Sequence, residues 1–497
     1  MPLDITPGLS YDDVLLVPQA SAVLPRDVDI SCELHPTVRL KLPLLSAAMD
    51  KVTEAQMAIA LARQGGLGVI HKNCSIESQT HMVEDVKRSE SGFISDPVTL
   101  RSDDPVGKAF ELMARFKVSG FPVVDGDGRL VGIVTNRDLR FGATPERRVS
   151  EFMTAEGLVT APQGTTLEQA SALMQDHRVE KLPIVDGQRL VGMFTFKDIE
   201  KIRQYPASAK DGRGRLLAAA AVGVSADGEE RAAALVEAGV DVLSIDSAHG
   251  HSAGILEFAA KLKDRFPDTV LAVGNVATGD AVRAAADHGA DVVKVGVGPG
   301  SICTTRVVTG VGMPQFTAVA DCAEAAAEVG VATIADGGIR YSGDAVKALA
   351  AGATAVMVGN LLAGTDESPG ELVLVGGRRY KEYRGMGSID AMRAGSADRY
   401  FQADDEGPTS GTMSGSGKLV PEGVSGLLPY RGSVGEVTAQ LEGGLRSGMG
   451  YLGAADLRAL HERARFVQQS VAGARESHVH DLEVVHEAPN YQVPGAG

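Results

Sequence analysis

Residues 270–301 read VLAVGNVATGDAVRAAADHGADVVKVGVGPGS. An apolar run, VLAVGNV, gives way over 279–288 to an Ala-rich stretch with helical spacing, and a second apolar run, VVKVGVG, ends in glycines. Strands that are apolar throughout, rather than alternating, belong to parallel sheets buried on both faces, and strand–helix alternation is the sequence form of an α/β unit. The same texture extends outward in both directions. PLLSAAM, GGLGVIH, LLAAAAVGV, DVLSIDS, ATIADGG and ATAVMVG begin near 43, 65, 216, 241, 332 and 354, which with the opening pair makes eight strands. Eight such units predict a (β/α)8 TIM barrel. A doubly wound sheet is the competing architecture, and the strand count favours the barrel.

The gap between the second and third strands holds an internal repeat. DPVTLRSDDPVGKAFELMARFKVSGFPVVDGDGRLVGIVTNRDL is followed by GLVTAPQGTTLEQASALMQDHRVEKLPIVDGQRLVGMFTFKDI. Each copy reads as a short strand, an amphipathic helix and a hairpin, turned by Asp-Gly or Gly-Gln. This divides the chain into 1–91, the first part of the barrel; 92–202, an inserted pair with copies at about 92–145 and 150–202; and 203–497, the rest of the barrel. The segment DGDG at 125–128 lacks the later ligands and closing Glu of a calcium loop and is read as a turn.

Composition narrows the function. A formal charge of −16 over 497 residues disfavours nucleic acid backbones and anionic membranes as partners, and a 44% hydrophobic content is ample for more than one core. The start, MPLDITPGLSYDD, has no signal-peptide pattern and no run approaches a membrane span, so a cytoplasmic protein is expected. The four cysteines, Cys32, Cys74, Cys303 and Cys322, form no C-x-x-C pair and are expected to be reduced.

Barrel active sites gather at the carboxyl ends of strands. Here those ends are polar and glycine-rich, and GPGS, DGGI and VGN close strands six, seven and eight, where exposed backbone amides suit a phosphate. Tight turns alone are the plainer reading of each glycine. Cys303 follows strand six among glycines, beside Ser301 and Thr305, and is the nucleophile candidate. Cys74 is its rival at the rim and is held to be structural, and Cys322, in ADCAEAAAEVG, reads as a core residue. GMGYLG at 448–453 matches a dinucleotide fingerprint but follows no strand, so a cofactor must bind on the barrel.

Two resemblances sharpen these readings. The repeat, with Thr135-Asn136-Arg137-Asp138 and Thr195-Phe196-Lys197-Asp198, resembles a CBS-domain pair, which implies purine nucleotide contacts at Thr135, Asp138, Thr195 and Asp198; helix capping is the alternative role. Further, GVGPGSICTTR, LLSAAMDKVTEAQMAIALARQGGLGVIHKN, ADGGIR, YRGMGSIDAM, DRYF, KLVPEGVSG and ARESHVHD resemble the inosine-5'-monophosphate dehydrogenase family along nearly the whole chain. That resemblance implies NAD-dependent oxidation of IMP to XMP, the committed step to guanine nucleotides. It also implies a homotetramer, with an octamer as the nucleotide-bound form.

By the same resemblance Cys303 attacks C2 of the purine, Thr305 assists, and a mobile flap over 388–430 brings Arg399 and Tyr400 to hydrolyse the intermediate. Ser301, Asp336, Gly338, Gly359, Asn360 and Tyr383 would hold ribose and phosphate, and Gly385, Met386, Gly387 and Glu422 the purine. Asp246, Ser247, Asn275, Gly296 and Gly298 would face NAD. A potassium ion would be held by carbonyls of Gly298, Gly300 and Cys303, completed by Glu476, Ser477 and His478 of a neighbouring subunit. Three positions depart from the family pattern: Asn360 stands where Ser is usual, Lys51 replaces Thr, and the flap carries the insertion EGPTSGTMSGSG. A GMP reductase of the same superfamily and a catalytically inactive nucleotide sensor remain as alternatives.

Overall fold

The computed structural model describes residues 5–89, 93–94, 97–116, 118–400, 402, 419–480 and 488–491, and divides into two compact units. The first comprises Met1–Ser89, Ala207–Gly212 and Leu216–Gly497; the second comprises Glu90–Pro206 and Arg213–Arg215.

The first unit is a closed eight-stranded barrel. Its strands are β1 (Leu44–Ser46), β2 (Leu67–Ile70), β3 (Ala219–Val222), β4 (Val242–Asp246), β5 (Val270–Val276), β6 (Val292–Val295), β7 (Ala332–Asp336) and β8 (Ala355–Val358). All eight neighbouring pairs are parallel, and β8 closes onto β1 through Val356↔Leu44. The outer helices include α1 (Ala55–Arg63), α2 (Ile76–Ser89), α3 (Gly228–Glu237), α4 (Ala253–Arg265), α5 (Gly279–Asp287), α6 (Gln315–Val329), α7 (Ser342–Ala350) and α8 (Val434–Leu452).

Continuous apolar strands follow from burial on both faces. Leu243, Ile245, Leu271, Val273, Val293 and Val295 pack outward against the helices, while Leu45, Leu67, Val242, Ala272, Val292 and Met357 fill the interior. A hairpin of Cys32–His35 and Val38–Leu40 plugs one end of that interior with Leu34, Val38 and Leu40. Helix starts are capped locally: Thr278 accepts from the Ala281 amide at α5, and Ser433 with Glu436 forms a capping box at α8. GMGYLG lies in the last turns of α8, where Gly453 takes a φ of 64° and ends the helix.

The second unit contains two three-stranded sheets. In one, Leu100–Arg101, Gly120–Val124 and Leu130–Thr135 accompany the helix Val106–Phe116; in the other, Ala161–Pro162, Lys181–Asp186 and Arg189–Thr195 accompany Leu167–His177. The Asp125 carboxylate accepts the amides of Asp127 and Arg129, both at 2.9 Å, which makes DGDG a hairpin turn. Among the described residues, no helix is long and apolar enough to cross a membrane.

Candidate active site

Cys303 sits in the loop after β6, its thiol donating to Thr305 Oγ1 at 3.1 Å. The shape of that loop explains its glycines. Arg306 threads back through it, donating from Nε to the Val297 carbonyl at 3.2 Å and from Nη2 to the Met313 carbonyl at 2.5 Å. A Cβ on either Gly298 or Gly312 would stand 2.5 Å from Arg306 Cγ, so a side chain at either position would crowd the Arg306 stem.

The Cys303 loop is laced to two other segments. Thr304 donates its amide to the Glu422 carbonyl, Val424 to that of Ile302, Glu422 to that of Gly387, and Gly385 to that of Val424, all between 2.9 and 3.0 Å. Gly385, Met386, Gly387 and Glu422 are thereby brought beside the Cys303 loop. Ser301, Gly359, Asn360 and Tyr383 gather across the ends of β6 and β8: Asn360 Nδ2 donates to Ser301 Oγ at 3.1 Å, and a Cβ on Gly359 would stand 2.9 Å from the Tyr383 hydroxyl. Burial pushes the Tyr383 phenol above its ordinary value. Gly337 and Gly338, after β7, have φ of 94° and 81°, conformations open to glycine at little cost.

Deeper in the mouth lies a charged cluster. Lys294, 2% exposed inside the barrel, donates to Asn275 Oδ1 at 2.5 Å, Asp336 Oδ2 at 3.0 Å and Asp246 Oδ1 at 3.3 Å. Asn275 Nδ2 also donates to Asp336 Oδ2 at 2.9 Å and to the Gly296 carbonyl at 2.8 Å. A buried ammonium is tolerable only with such partners, and here it holds Asp246, Asn275 and Asp336 in one array. Ser247 joins the rim through its amide to the Gly274 carbonyl at 3.0 Å.

The turn Ser396–Tyr400 rests on this array. Arg399 is ion-paired to Asp246, its carbonyl accepts the Ala248 amide at 3.0 Å, and its Nε is buried with no hydrogen-bond partner among the described residues. A Cβ on Gly387 would stand 2.8 Å from the Tyr400 ring, and burial raises the Tyr400 phenol against the pull of Arg399. Residues 401 and 403–418, which carry EGPTSGTMSGSG within the expected flap, lie outside the described residues.

Sequence similarity points the same way. The sequence profile of the IMP dehydrogenase / GMP reductase domain matches residues 8–480. The chain belongs to the IMP dehydrogenase / GMP reductase family. It is 56% identical to the inosine-5'-monophosphate dehydrogenase of Bacillus subtilis (strain 168) over 489 residues, 98% of each chain. The corresponding protein of Aquifex aeolicus (strain VF5) is 55% identical over 494 residues, again 98% of each. A solved structure of a GMP reductase cysteine-to-alanine variant from Trypanosoma brucei, in complex with guanosine 5'-monophosphate, is 40% identical. It matches with a TM-score of 0.85, covering 96% of this chain and 98% of that one.

The remaining expected residues lie outside the charged cluster. Glu476 ends a short helix, Ser477 Oγ donates to the Gly473 carbonyl at 3.0 Å, and His478 Nδ1 lies 3.3 Å from the Tyr491 hydroxyl. The Gly300 carbonyl accepts the Cys303 amide at 3.1 Å, and no cluster of three His, Cys, Asp or Glu side chains suited to a metal occurs among the described residues. In the second unit, Asp138 Oδ2 accepts both the amide and the hydroxyl of Thr135 at 2.7 Å. Thr195 ends its strand, and the side chain of Asp198 lies outside the described residues.

Sequence reading missed Lys294, Arg306, and the pairs Arg384–Asp50 and Lys72–Asp398. Lys294 alone left a signal: a lysine inside an apolar strand must find buried partners.

Proposed function

We propose that this chain oxidises inosine 5'-monophosphate to xanthosine 5'-monophosphate with NAD+, in the cytoplasm, as a step of guanine nucleotide biosynthesis. The observation that carries the reading is Arg399, held with Tyr400 over Asp246 beside the Cys303 loop, in a chain so similar to curated dehydrogenases. A GMP reductase needs no hydrolytic group there.

Cys303 Sγ adds to the electron-poor C2, and the carbon becomes tetrahedral. NAD+ bound in this mouth would supply the hydride acceptor. The residue left on Cys303 is a thioimidate; water then attacks C2, the C–S bond breaks, and the thiolate is restored. The sum is IMP, NAD+ and water to XMP, NADH and a proton. Arg399 takes the proton of the attacking water; its Nε is buried with no hydrogen-bond partner among the described residues. Tyr400, kept neutral by burial, completes the pair. Asp246 and Asn275, nearly buried acceptors at the rim with Ser247, Gly296 and Gly298 beside them, suit the diol of a nicotinamide ribose. Ser301, Asp336, Gly338, Gly359, Asn360 and Tyr383 hold the nucleotide's ribose and phosphate, and Gly385, Met386, Gly387 and Glu422 its purine.

Carbonyl oxygens of Gly298, Gly300 and Cys303, on one loop, are ligands a hard cation prefers, and we assign K+ to them, completed by Glu476, Ser477 and His478 of a second copy in a homotetramer. The paired sheets of the second unit are read as a CBS pair that binds purine nucleotides at Thr135, Asp138, Thr195 and Asp198, with an octamer as the assembly so formed.

Incubating the protein with IMP and NAD+, and separately with GMP and NADPH, while following reduced-cofactor absorbance, tests the reaction. NADH formation with IMP alone is expected; NADPH consumption with GMP and none of the first signal would make the chain a reductase. Arg399→Ala should keep a rapid burst of about one NADH per site and lose 10²-fold or more in steady state, the scale of a missing general base.

A further inference from the structure

Arg399 does not hold itself in place. The residue before it, Asp398, receives both of its carboxylate oxygens' hydrogen bonds from Lys72 Nζ at 2.5 Å, and both side chains are only 8% exposed. Lys72 stands just past the end of β2, while Asp398 belongs to the Ser396–Tyr400 turn, 326 residues away in sequence. A second feature is fitted to the same contact. Gly223, immediately after β3, passes so close that a Cβ there would stand 2.4 Å from Asp398 Oδ2 and 2.8 Å from Lys72 Cε. No positive φ accounts for that glycine; the space it leaves is filled by the ion pair.

We propose that the buried Lys72–Asp398 pair is a latch that docks the hydrolytic turn, so that Lys72 is a positioning residue setting how long Arg399 stays over the reacting carbon. The inference rests on the assignment of Arg399 to hydrolysis. Among the described residues, the turn is otherwise held by the Arg399–Asp246 pair, the Ala248 amide on the Arg399 carbonyl, Ser396 Oγ on the Met386 carbonyl at 2.5 Å and the packing of Tyr400 against Gly387. Arg399 also occupies the carboxylate assigned to the cofactor, so docking of the turn and binding of NAD+ exclude each other. Loss of the latch therefore shifts the balance from the docked turn toward cofactor, by the difference in stability of the two states. Hydride transfer, which needs the turn away, is untouched, and hydrolysis slows.

The test compares Lys72→Met, Lys72→Arg, Gly223→Ala and Arg399→Ala in the full-length protein. Lys72→Met should keep the NADH burst at its native rate, lower the steady state about tenfold, accumulate the Cys303 adduct seen by intact mass after a quench, and be inhibited by NAD+ at lower concentration. Gly223→Ala, which wedges the pair apart without altering charge, should behave alike, and Lys72→Arg should recover to within about threefold of native. A native steady state in Lys72→Met and Gly223→Ala, or burst and steady state falling together, overturns the latch. If Arg399→Ala accumulates adduct while the latch variants do not, the latch alone fails; if none does, the hydrolytic reading fails with it.

Discussion

Cys303 and Cys322 are one functional group in opposite surroundings. Cys322 is fully buried in α6, and burial pushes its thiol up to about 12, so at pH 8 only about one molecule in 10⁴ carries the thiolate. Cys303 is half-buried on an open loop with the Thr305 hydroxyl at 3.1 Å. Iodoacetamide at pH 8 should therefore modify Cys303 and leave Cys322 untouched in the native protein, with IMP protecting Cys303, as peptide mapping would read. Because the proposed phosphate and ribose contacts do not involve the thiol itself, Cys303→Ala should abolish turnover while IMP affinity stays within about tenfold. Turnover above a tenth of native would remove Cys303 from the chemistry.

The loop from Val297 to Met313 works as one element because Arg306 ties its two ends. Gly298 has a φ of 82°, and its missing Cβ makes room for the Arg306 stem. Gly298→Ala adds about 1–2 kcal/mol of backbone strain to that overlap, and its carbonyl is one of three assigned to K+. Activity at saturating IMP should fall at least tenfold, and the concentration of K+ needed for half-maximal rate should rise. Exchange of K+ for Na+ in the unaltered protein should also lower the rate, since carbonyl cages discriminate by size and ligand number. Equal rates in the two salts would remove the cation from the loop.

At the scale of the molecule, every barrel strand belongs to the first unit, and no strand of the second enters the closed barrel. Catalysis should survive without the second unit. Replacing 92–202 by a short Gly-Ser linker should leave the IMP-dependent rate within about threefold and abolish any response of that rate to purine nucleotides. A soluble, barrel-folded deletion without activity would show that the second unit is needed for the site itself.

What the sequence by itself determined is the set of features whose causes are local. Burial on both faces demands uninterrupted apolar runs, so the eight strands were visible one at a time, and their number implied closure. The repeat, the hairpin turn at 125–128 and the glycine-rich strand ends were legible for the same reason. The glycine-rich setting after strand six marked Cys303 as the nucleophile candidate, whereas DRYF carried Arg399 through resemblance alone. Tertiary structure alone decided which distant groups share a dry space. Lys72 meets Asp398, and Lys294 gathers Asp246 and Asp336, only once the barrel has closed and fixed its register. Hydrophobic pattern repeats every few residues and survives in a single sequence. An ion pair between loops hundreds of residues apart depends on positions to within an ångström, and leaves no such trace.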